Sequence, residues 1–255
     1  MIAERLSDKS YRKSEPLYIQ IAESLLAQIE AGELAPEERL PSERDLSQRL
    51  NVSRMTLRAA LRELDSRGLL VRRPGDGTYI AEPKIERHAD KLVPFTLSMQ
   101  QRGYRINSRL IVFEHRLANV SMAKRLHIPV STAVFYCQRV RLINQEPVLL
   151  ENCTMPAEIF PDFGKYDLEN RSLYEIMETE YGVIAHHSEQ SLEAVIATDY
   201  EAELLNINPG SALMVERRLG FDQNDLPFEY GHDLYRGDRF RFFTDIAPME
   251  ALEEG

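Results

Sequence analysis

Arginine side chains in the first third of the sequence are the densest source of chemistry in the chain. Residues 39–73 contain nine arginines, no lysine and four acidic residues, so this segment carries 9 − 4 = +5. The whole chain of 255 residues has a formal net charge of −10. Guanidinium groups bind phosphates and guanine edges through paired hydrogen bonds. A localised positive segment on an acidic chain therefore indicates a site for a polyanion.

Hydrophobic spacing predicts the helices that carry these arginines. The first helix follows Pro16, and its apolar stripe recurs every fourth residue. The stripe consists of Leu17, Ile21, Leu25 and Ile29. Ser42 and Ser53 are each placed to cap a further short helix, and Gly68 suits the end of the last one. Two short helices separated by a tight break at residues 51–52 are typical of a helix-turn-helix.

A predicted hairpin follows the last of these helices. Val71, Tyr79 and Ile80 are good strand formers, and they flank a group of turn residues at positions 74–77. A helix-turn-helix followed by a hairpin is a winged helix, and the hairpin is its wing.

The outer face of the third helix is the candidate DNA-reading surface. Its N-terminal turn contains Ser53, Arg54 and Thr56, which would reach base edges in a major groove. Arg58 lies one turn further along the same face. The alternative is a merely solvated helix face, which is a common role for charged residues. The helix-turn-helix pattern, the caps and the wing in one segment favour DNA binding.

Three phrases of this segment, "LPSER", "VSRMTLRAAL" and "GDGTYI", are diagnostic. Through them, residues 16–81 resemble the GntR family of bacterial transcription regulators. The resemblance implies that several side chains contact bases or phosphates of double-stranded DNA. These side chains are Arg44, Arg54, Thr56 and Arg58. It also implies that Gly75, at the tip of the wing, approaches the minor groove.

The pattern changes beyond the polar segment 84–89, which we interpret as a linker. Two stretches, beginning at Leu126 and Leu205, resemble each other, and each predicts a short helix followed by an antiparallel hairpin. This repeat predicts a single antiparallel sheet with helices packed against it. We therefore expect an α+β chain, with a winged helix-turn-helix domain at residues 1–83 and a second domain at residues 90–255.

Charged residues of the first predicted hairpin suggest an anion site. Arg139 and Arg141 share one strand face because side chains alternate with period two. With the turn centred on Gln145, Arg139 lies opposite Glu151 and Arg141 lies opposite Leu149. The alternative is an exposed cross-strand ion pair, which is common and weak.

Ser172 adds a second element to this candidate site. It precedes an amphipathic helix that Gly182 ends. A helix N-terminus offers free backbone N–H groups and the positive end of a dipole to an anion. Two arginines and a serine at a helix start therefore predict a phosphate site.

Four phrases of the second domain carry a further resemblance: "PFTLSMQQRGY", "QRVRLINQEPVLLE", "SLYEIMETEYG" and "LPFEYGHDLYRGDRFRF". Through them, residues 90–247 resemble the ligand-sensing UTRA domain of the HutC branch, whose fold is similar to chorismate lyase. The matching positions bind effector in members that sense phosphosugars. The implied phosphate contacts are Thr96, Arg139, Arg141 and Ser172. The implied sugar contacts are Glu151, Tyr174, Glu229 and Tyr235, and Phe95 lies beside Thr96 in the same site.

The implied effector is a phosphorylated sugar. Within its branch the chain is similar to the N-acetylglucosamine-utilisation repressors, and N-acetylglucosamine 6-phosphate is an example of such an effector. The alternative is an uncharged or carboxylate metabolite such as urocanate. His232 stands where many relatives carry a small residue, which leaves the identity of the sugar end open.

The residues around the candidate pocket argue against an enzyme of the chorismate-lyase-like fold. They include no nucleophile, metal cluster or phosphate loop, and the six histidines show no metal-ligand spacing. We therefore expect neither a cofactor nor a bound metal. Strand-like alternation also argues against the all-helical metal- or carboxylate-sensing domain of another branch of the family.

Two global features set further expectations. No apolar run reaches signal-peptide or membrane-spanning length, and two cysteines make no disulfide framework, so we expect a cytoplasmic protein without membrane contact. One helix-turn-helix reads few base pairs, so we expect a homodimer on a palindromic operator. The family pattern implies a repressor.

Overall fold

The computed structural model describes residues 15–73 and 75–245 of the chain. The chain forms two compact units, Met1–Ile85 and Glu86–Gly255. Pro74, one of the predicted turn residues, lies outside the described residues.

The first unit is a winged helix-turn-helix, as the sequence predicts. Its elements are α1 (Leu17–Glu30), α2 (Glu43–Arg49), α3 (Arg54–Ser66), β1 (Leu70–Arg73) and β2 (Gly77–Ile80). The predicted apolar stripe of α1 packs on the core of this unit, where Ile21 and Leu25 are fully buried. Leu46 of α2 and Leu57 of α3 are buried in the same core.

Serine caps fix the starts of α2 and α3. The Oγ of Ser42 accepts a hydrogen bond from the Asp45 N–H at 3.2 Å, and the Oγ of Ser53 accepts one from the Thr56 N–H at 3.0 Å. Each bond satisfies a backbone donor that has no partner within the helix. The caps therefore confirm both predicted helix starts.

Strands β1 and β2 form the predicted wing. They are antiparallel, and Val71 lies opposite Tyr79. Gly75 has a φ of +77°, a conformation that costs glycine little and other residues more.

The second unit is built on one six-stranded antiparallel sheet. Its strand order is β4-β5-β6-β9-β8-β7. The strands are β4 (Ile106–Leu117), β5 (Ala133–Ile143), β6 (Glu146–Pro156), β7 (Ala185–Ile196), β8 (Ala212–Asp222) and β9 (Pro227–Arg236). The α+β prediction for the whole chain is thereby confirmed.

The internal repeat is longer than the sequence pattern indicates. Helix α5 (Val120–Leu126) precedes the hairpin β5-β6, and helix α7 (Asp199–Leu205) precedes the hairpin β8-β9, as predicted. A long strand precedes each helix as well, so each half has the order strand, helix, hairpin. These two strands, β4 and β7, were missed, because most of their side chains are at least partly exposed and show no clear apolar alternation.

Three further elements border the sheet. They are β3 (Ile85–His88), α4 (Phe95–Gln101) and α6 (Leu173–Tyr181), and β3 pairs with β10 (Phe240–Phe243) in a separate two-stranded sheet. The segment interpreted as a linker, residues 84–89, thus contains a strand. The proposed domain boundary itself stays a prediction.

We predict that a fragment of residues 84–255 folds alone as a dimer and melts at a higher temperature than a fragment of residues 90–255. The shorter fragment lacks β3 and the hydrogen bond from the Ala89 N–H to the Phe243 carbonyl, at 2.8 Å. Circular dichroism and light scattering of both fragments test this. Equal melting temperatures, or an unfolded or monomeric longer fragment, would contradict it.

Candidate functional site

The predicted DNA-reading surface of the first unit is exposed. The side chains of Arg54 and Arg58 are 60% and 51% exposed, and Arg44 is also exposed. The Nε of Arg58 donates to Glu43 at 2.6 Å, and the Nη2 of Arg54 lies 4.0 Å from the same carboxylate. Glu43 of α2 thus binds Arg58 and lies close to Arg54, two predicted reading residues of α3.

The wing brings further arginines to this side of the first unit. An open groove of about 930 Å³ has Arg39, Arg72, Arg73 and Gly75 among its lining residues. Arg39 donates to the Asp76 carbonyl, and the guanidinium of Arg73 pairs with Glu37. Arg39, Arg72 and Arg73 belong to the same basic segment, and sequence reasoning assigned them no contact.

In the second unit, the predicted hairpin register is confirmed. Arg139 lies opposite Glu151, and Arg141 lies opposite Leu149. The alternative of an exposed ion pair is wrong, because the arginine side chains are only 1% and 3% exposed.

The carboxylate of Glu151 accepts hydrogen bonds from both guanidiniums. The Nε of Arg139 donates to it at 2.7 Å, and the Nη1 of Arg141 donates at 3.1 Å. Burial opposes its ionisation, but the two positive charges outweigh burial and hold the pKa of Glu151 at about 2. Glu151 is therefore a carboxylate anion whose side chain is only 14% exposed.

Arg139 does not line the cavity next to this cluster. Besides binding Glu151, its Nη1 donates to the backbone carbonyls of Leu168 at 2.6 Å and Arg171 at 3.1 Å. These carbonyls belong to the loop that leads into α6. In this structure, Arg139 thus holds the loop and Glu151 in place and does not face the cavity.

The cavity itself lies on the face of the sheet that carries Arg141 and Glu151. It encloses about 30 Å³, enough for about one or two water molecules. Its charged lining residues are Arg87, Lys91, Arg141, Glu151, Glu216, Arg218, Glu229 and Asp233. Among the predicted effector contacts, Phe95, Ser172, Tyr174 and Tyr235 also line it.

A second, outer pocket of about 370 Å³ shares part of this lining. Leu92, Pro94, Ser172 and Tyr174 belong to both, and Thr96 lines the outer pocket only. A volume of this size is typical of small-molecule sites. A ligand-sized pocket therefore lies next to a small, charged cavity.

Ser172 occupies the N-cap position of α6, but its side chain makes no capping hydrogen bond. Its hydroxyl therefore does not serve the helix and faces two pockets. Thr96 accepts a hydrogen bond from the Nη2 of Arg141 at 2.6 Å, and the Arg141 guanidinium lies 4.9 Å from the centre of the Phe95 ring. Phe95 and Thr96 thus hold Arg141 from one side, while Glu151 holds it from another.

Arg218 of β8 is the central charged residue that sequence reasoning missed. Its Nε donates to Glu229 at 2.9 Å, and its Nη1 lies 3.4 Å from Glu216 and 3.5 Å from Asp233. Gly231 leaves room for it, since a Cβ there would lie 3.0 Å from the Arg218 Nη2. Tyr174 donates its hydroxyl hydrogen to Glu229 at 2.7 Å and so joins the same cluster.

The internal repeat contains the signal that identifies Arg218. When Leu126 is aligned with Leu205, Arg139 falls on Arg218. The one-residue insertion in the second turn then places Glu151 on Gly231, which is the residue opposite Arg218. Arg218 thus occupies the place of Arg139 in the second hairpin, without a carboxylate directly opposite.

Asp233 differs from an ordinary carboxyl group in how tightly it holds its proton. Burial raises the pKa of Asp233 to about 8, although Arg218 opposes the shift. The cavity therefore contains one carboxyl group that is easier to protonate than a carboxyl group in water.

Two histidine positions bear on the expectations from sequence. His232 does not line the cavity. Glu229, Asp233 and Tyr235 do, and side chains alternate along β9, so His232 faces the other side of the sheet.

At the C-terminal end of β3, His88, Asp90 and Asp245 each place a possible metal-ligand atom within 4.8 Å of the others. Both aspartates of this trio are exposed.

Family comparison agrees with both units. The model described as "Bacterial regulatory proteins, gntR family" matches residues 17–80, and the UTRA domain model matches residues 101–241, more than half of the chain. The chain belongs to the GntR family. It is a regulator of the HutC branch with a UTRA domain, and thus a DNA-binding transcription regulator and not an enzyme.

Individual proteins resemble this GntR regulator along most of its length. The HTH-type transcriptional repressor NagR of Bacillus subtilis is 35% identical over 89% of this chain and 93% of its own. The histidine utilization repressor of Pseudomonas aeruginosa is 33% identical over 80% of each chain. The crystal structure of PhnF from Mycobacterium smegmatis has a TM-score of 0.64 at 27% identity and covers 89% of this chain and 99% of its own.

None of the helices in the described ranges combines the length and the apolar character that a membrane span requires.

We predict that Arg139→Met lowers the free energy of unfolding of the second unit by about 3–5 kcal/mol, because it removes one of the two cationic partners of a largely buried carboxylate. A triple variant, Arg139→Met, Arg141→Met and Glu151→Leu, should recover much of the loss, since replacing all three charged groups by apolar ones leaves no unpaired charge. Urea unfolding followed by circular dichroism measures both.

Arg116→Met is the matched control, because Arg116 is 38% exposed and lies on the edge strand β4. A change within about 0.5 kcal/mol is expected there. A single Arg139 variant as stable as this control would show that the pair with Glu151 does not support the sheet.

Proposed function

We propose that this GntR regulator is a repressor that binds a palindromic operator as a homodimer and is released by a phosphorylated sugar. Two of the similar proteins are repressors by name. The observation that carries the effector proposal is the set of three buried guanidiniums, those of Arg87, Arg141 and Arg218, that line a cavity next to a ligand-sized pocket. Guanidiniums in such a place favour an anionic ligand, which gains charge-assisted hydrogen bonds there.

Arg141 is the principal proposed phosphate contact. Its Nε–H is buried and has no hydrogen-bond partner among the described residues. Ser172 contributes an uncommitted hydroxyl, and the N-terminus of α6 contributes backbone N–H groups and a favourable dipole. Thr96, already bonded to Arg141, completes this end of the proposed site.

Acidic and aromatic residues form the proposed sugar end. Glu151 and Glu229 suit the hydroxyl or amide hydrogens of a sugar, and Tyr174 and Tyr235 can supply flat contact and a hydroxyl. An amino-sugar phosphate such as N-acetylglucosamine 6-phosphate matches this combination. The outer pocket of about 370 Å³ offers space for the part that the inner cavity does not hold.

Arg139 is proposed to act indirectly, as a positioning residue. It fixes Glu151 and the loop before Ser172, and we propose that it positions these two residues. A direct phosphate contact from Arg139 would require its guanidinium to leave Glu151 and the carbonyls of this loop.

We predict that N-acetylglucosamine 6-phosphate binds the full chain and that Arg141→Gln weakens this binding about 10- to 100-fold, the effect of losing one charge-assisted contact. Titration calorimetry measures the affinity, with Arg116→Gln as a control that removes an arginine outside the cavity. N-acetylglucosamine and urocanate serve as comparison ligands. Tight binding of urocanate without any sugar-phosphate binding would contradict the proposal.

We predict that Arg54→Ala weakens operator binding by about 1–3 kcal/mol and relaxes base preference, if one contact to a base edge is lost per half-site. Arg67→Ala is the control, because Arg67 is the C-cap of the same helix, at the end opposite to Arg54, and pairs with Glu63. Mobility shift on a selected palindrome compares the two. Equal affinity and base preference in the two variants would remove Arg54 from the reading surface.

A further inference from the structure

Arg87 is a buried cation in a segment that the sequence presents as a polar linker. It lies on β3, two residues after the end of the first unit, yet its side chain is only 10% exposed. Its Nη2 lies 3.5 Å from the Oε2 of Glu216, and its guanidinium lies 5.3 Å from the centre of the Tyr235 ring. Both of these partners line the charged cavity.

The backbone around Arg87 is held in place by the same unit. Strand β3 pairs with β10, and the side chain of Gln190 donates to the Ala89 carbonyl. Glu86 and Arg241 form an ion pair on this two-stranded sheet, and neither lines the cavity. Arg87 therefore projects from a fixed strand into the cavity.

One hydrogen-bond donor of Arg87 remains unused. Its Nε–H is buried and, within residues 15–73 and 75–245, has no hydrogen-bond partner, as is also true of the Nε–H of Arg141. A buried donor without an acceptor is unfavourable. Arg87 and Arg141 line the same cavity, and Arg87 lies in the segment 84–89 that the sequence presents as a linker. Two unused N–H donors on these arginines match a ligand with several anionic oxygens.

We propose that Arg87 contacts the anionic group of the effector through its Nε–H and thereby couples effector binding to the segment that leads into the DNA-binding domain. This inference rests on the proposed function for the anionic nature of the effector. In this structure Arg87 faces Glu216. With effector bound, it shares its charge between Glu216 and the ligand.

The contact between Arg87 and the effector provides the difference in effector affinity between conformations that regulation requires. An effector shifts a conformational equilibrium only if it interacts differently with the two conformations. A contact to Arg87 depends on the position of β3, so conformations that differ at β3 differ in effector affinity. The segment after β3 adds to this dependence, since Leu92, Val93 and Pro94 also cover the cavity.

Arg87→Met is a suitable test because it leaves no orphaned charge. Glu216 keeps the hydroxyl of Tyr235 at 3.0 Å and the Nη1 of Arg218 at 3.4 Å. Arg87→Lys is a second variant, which retains the positive charge and lacks the Nε–H. Arg241→Met is the matched control, because it removes an ion pair of the same two-stranded sheet outside the cavity.

The experiment measures two quantities in the full-length protein. Titration calorimetry gives the affinity for N-acetylglucosamine 6-phosphate, and fluorescence anisotropy gives operator affinity with and without saturating ligand. In Arg87→Met we expect ligand affinity to fall about tenfold and the ligand-dependent change in operator affinity to fall at least threefold relative to wild type. Arg87→Lys should change both quantities in the same direction, and Arg241→Met should keep both within about twofold of wild type.

The outcomes separate this inference from the proposed function. If wild type responds to the sugar phosphate while both Arg87 variants retain wild-type values, the inference is wrong and the proposed function stands. An Arg241→Met variant that loses coupling as strongly as Arg87→Met would also overturn it, since loosening of β3 alone would then suffice.

Inorganic phosphate is the probe that does not depend on the sugar. If wild type ignores the sugar phosphate but is stabilised against thermal unfolding by phosphate, and Arg87→Met is not, the effector class is wrong and the Arg87 contact stands. A wild-type protein that responds to neither probe would overturn both.

Discussion

Burial of charge is the constraint on which the second unit depends. Moving an ion out of water costs several kcal/mol even after relaxation, and only fixed, well-placed partners offset this cost. Glu151 meets the condition with two guanidiniums, and Glu229 meets it with Arg218 and Tyr174. Because a one-residue slip of any central strand would move its charged residues to the opposite face, these pairs fix the register of the sheet.

The small free volume of the cavity follows from the same pairs. With about 30 Å³ of free space, most of the charged groups are paired with one another, so a ligand must replace some of these contacts and can add bonds to the unused Nε–H groups of Arg87 and Arg141. The measured affinity for an effector is then the difference between contacts formed and contacts broken. Under the proposed function, the phosphate group of the effector replaces several of these contacts at once.

Local rules predicted the features that depend on neighbouring residues. The caps at Ser42 and Ser53 follow from side chains that reach the next turn. The register of Arg139 follows from a two-residue turn together with the β-bulge between Arg141 and Leu142, because the turn alone would place Leu150 opposite Arg139. In that turn, Asn144 and Gln145 adopt φ values of +49° and +73°, as a tight hairpin requires. These features could be read from the sequence because each is decided within a dozen residues.

The missed features are decided by distant parts of the chain. Strand β7 has few buried side chains, so its sequence carries no apolar alternation, and its pairing with β8 places it in the sheet. Arg87 lies in a polar segment, and its burial results from Glu216 and Tyr235, which lie more than a hundred residues away. Arg218 was recognisable in principle from the repeat, but its partners Glu216 and Glu229 come from two different strands.

A single position breaks the equivalence of the two repeated halves. In the first hairpin Glu151 lies opposite Arg139, whereas in the second hairpin Gly231 lies opposite Arg218. Because Gly231 has no carboxylate, Arg218 pairs with carboxyl groups that line the cavity. Arg139 instead binds Glu151 of its own hairpin and two carbonyls of the loop before α6. Of the two arginines that the repeat makes equivalent, only Arg218 therefore lines the cavity.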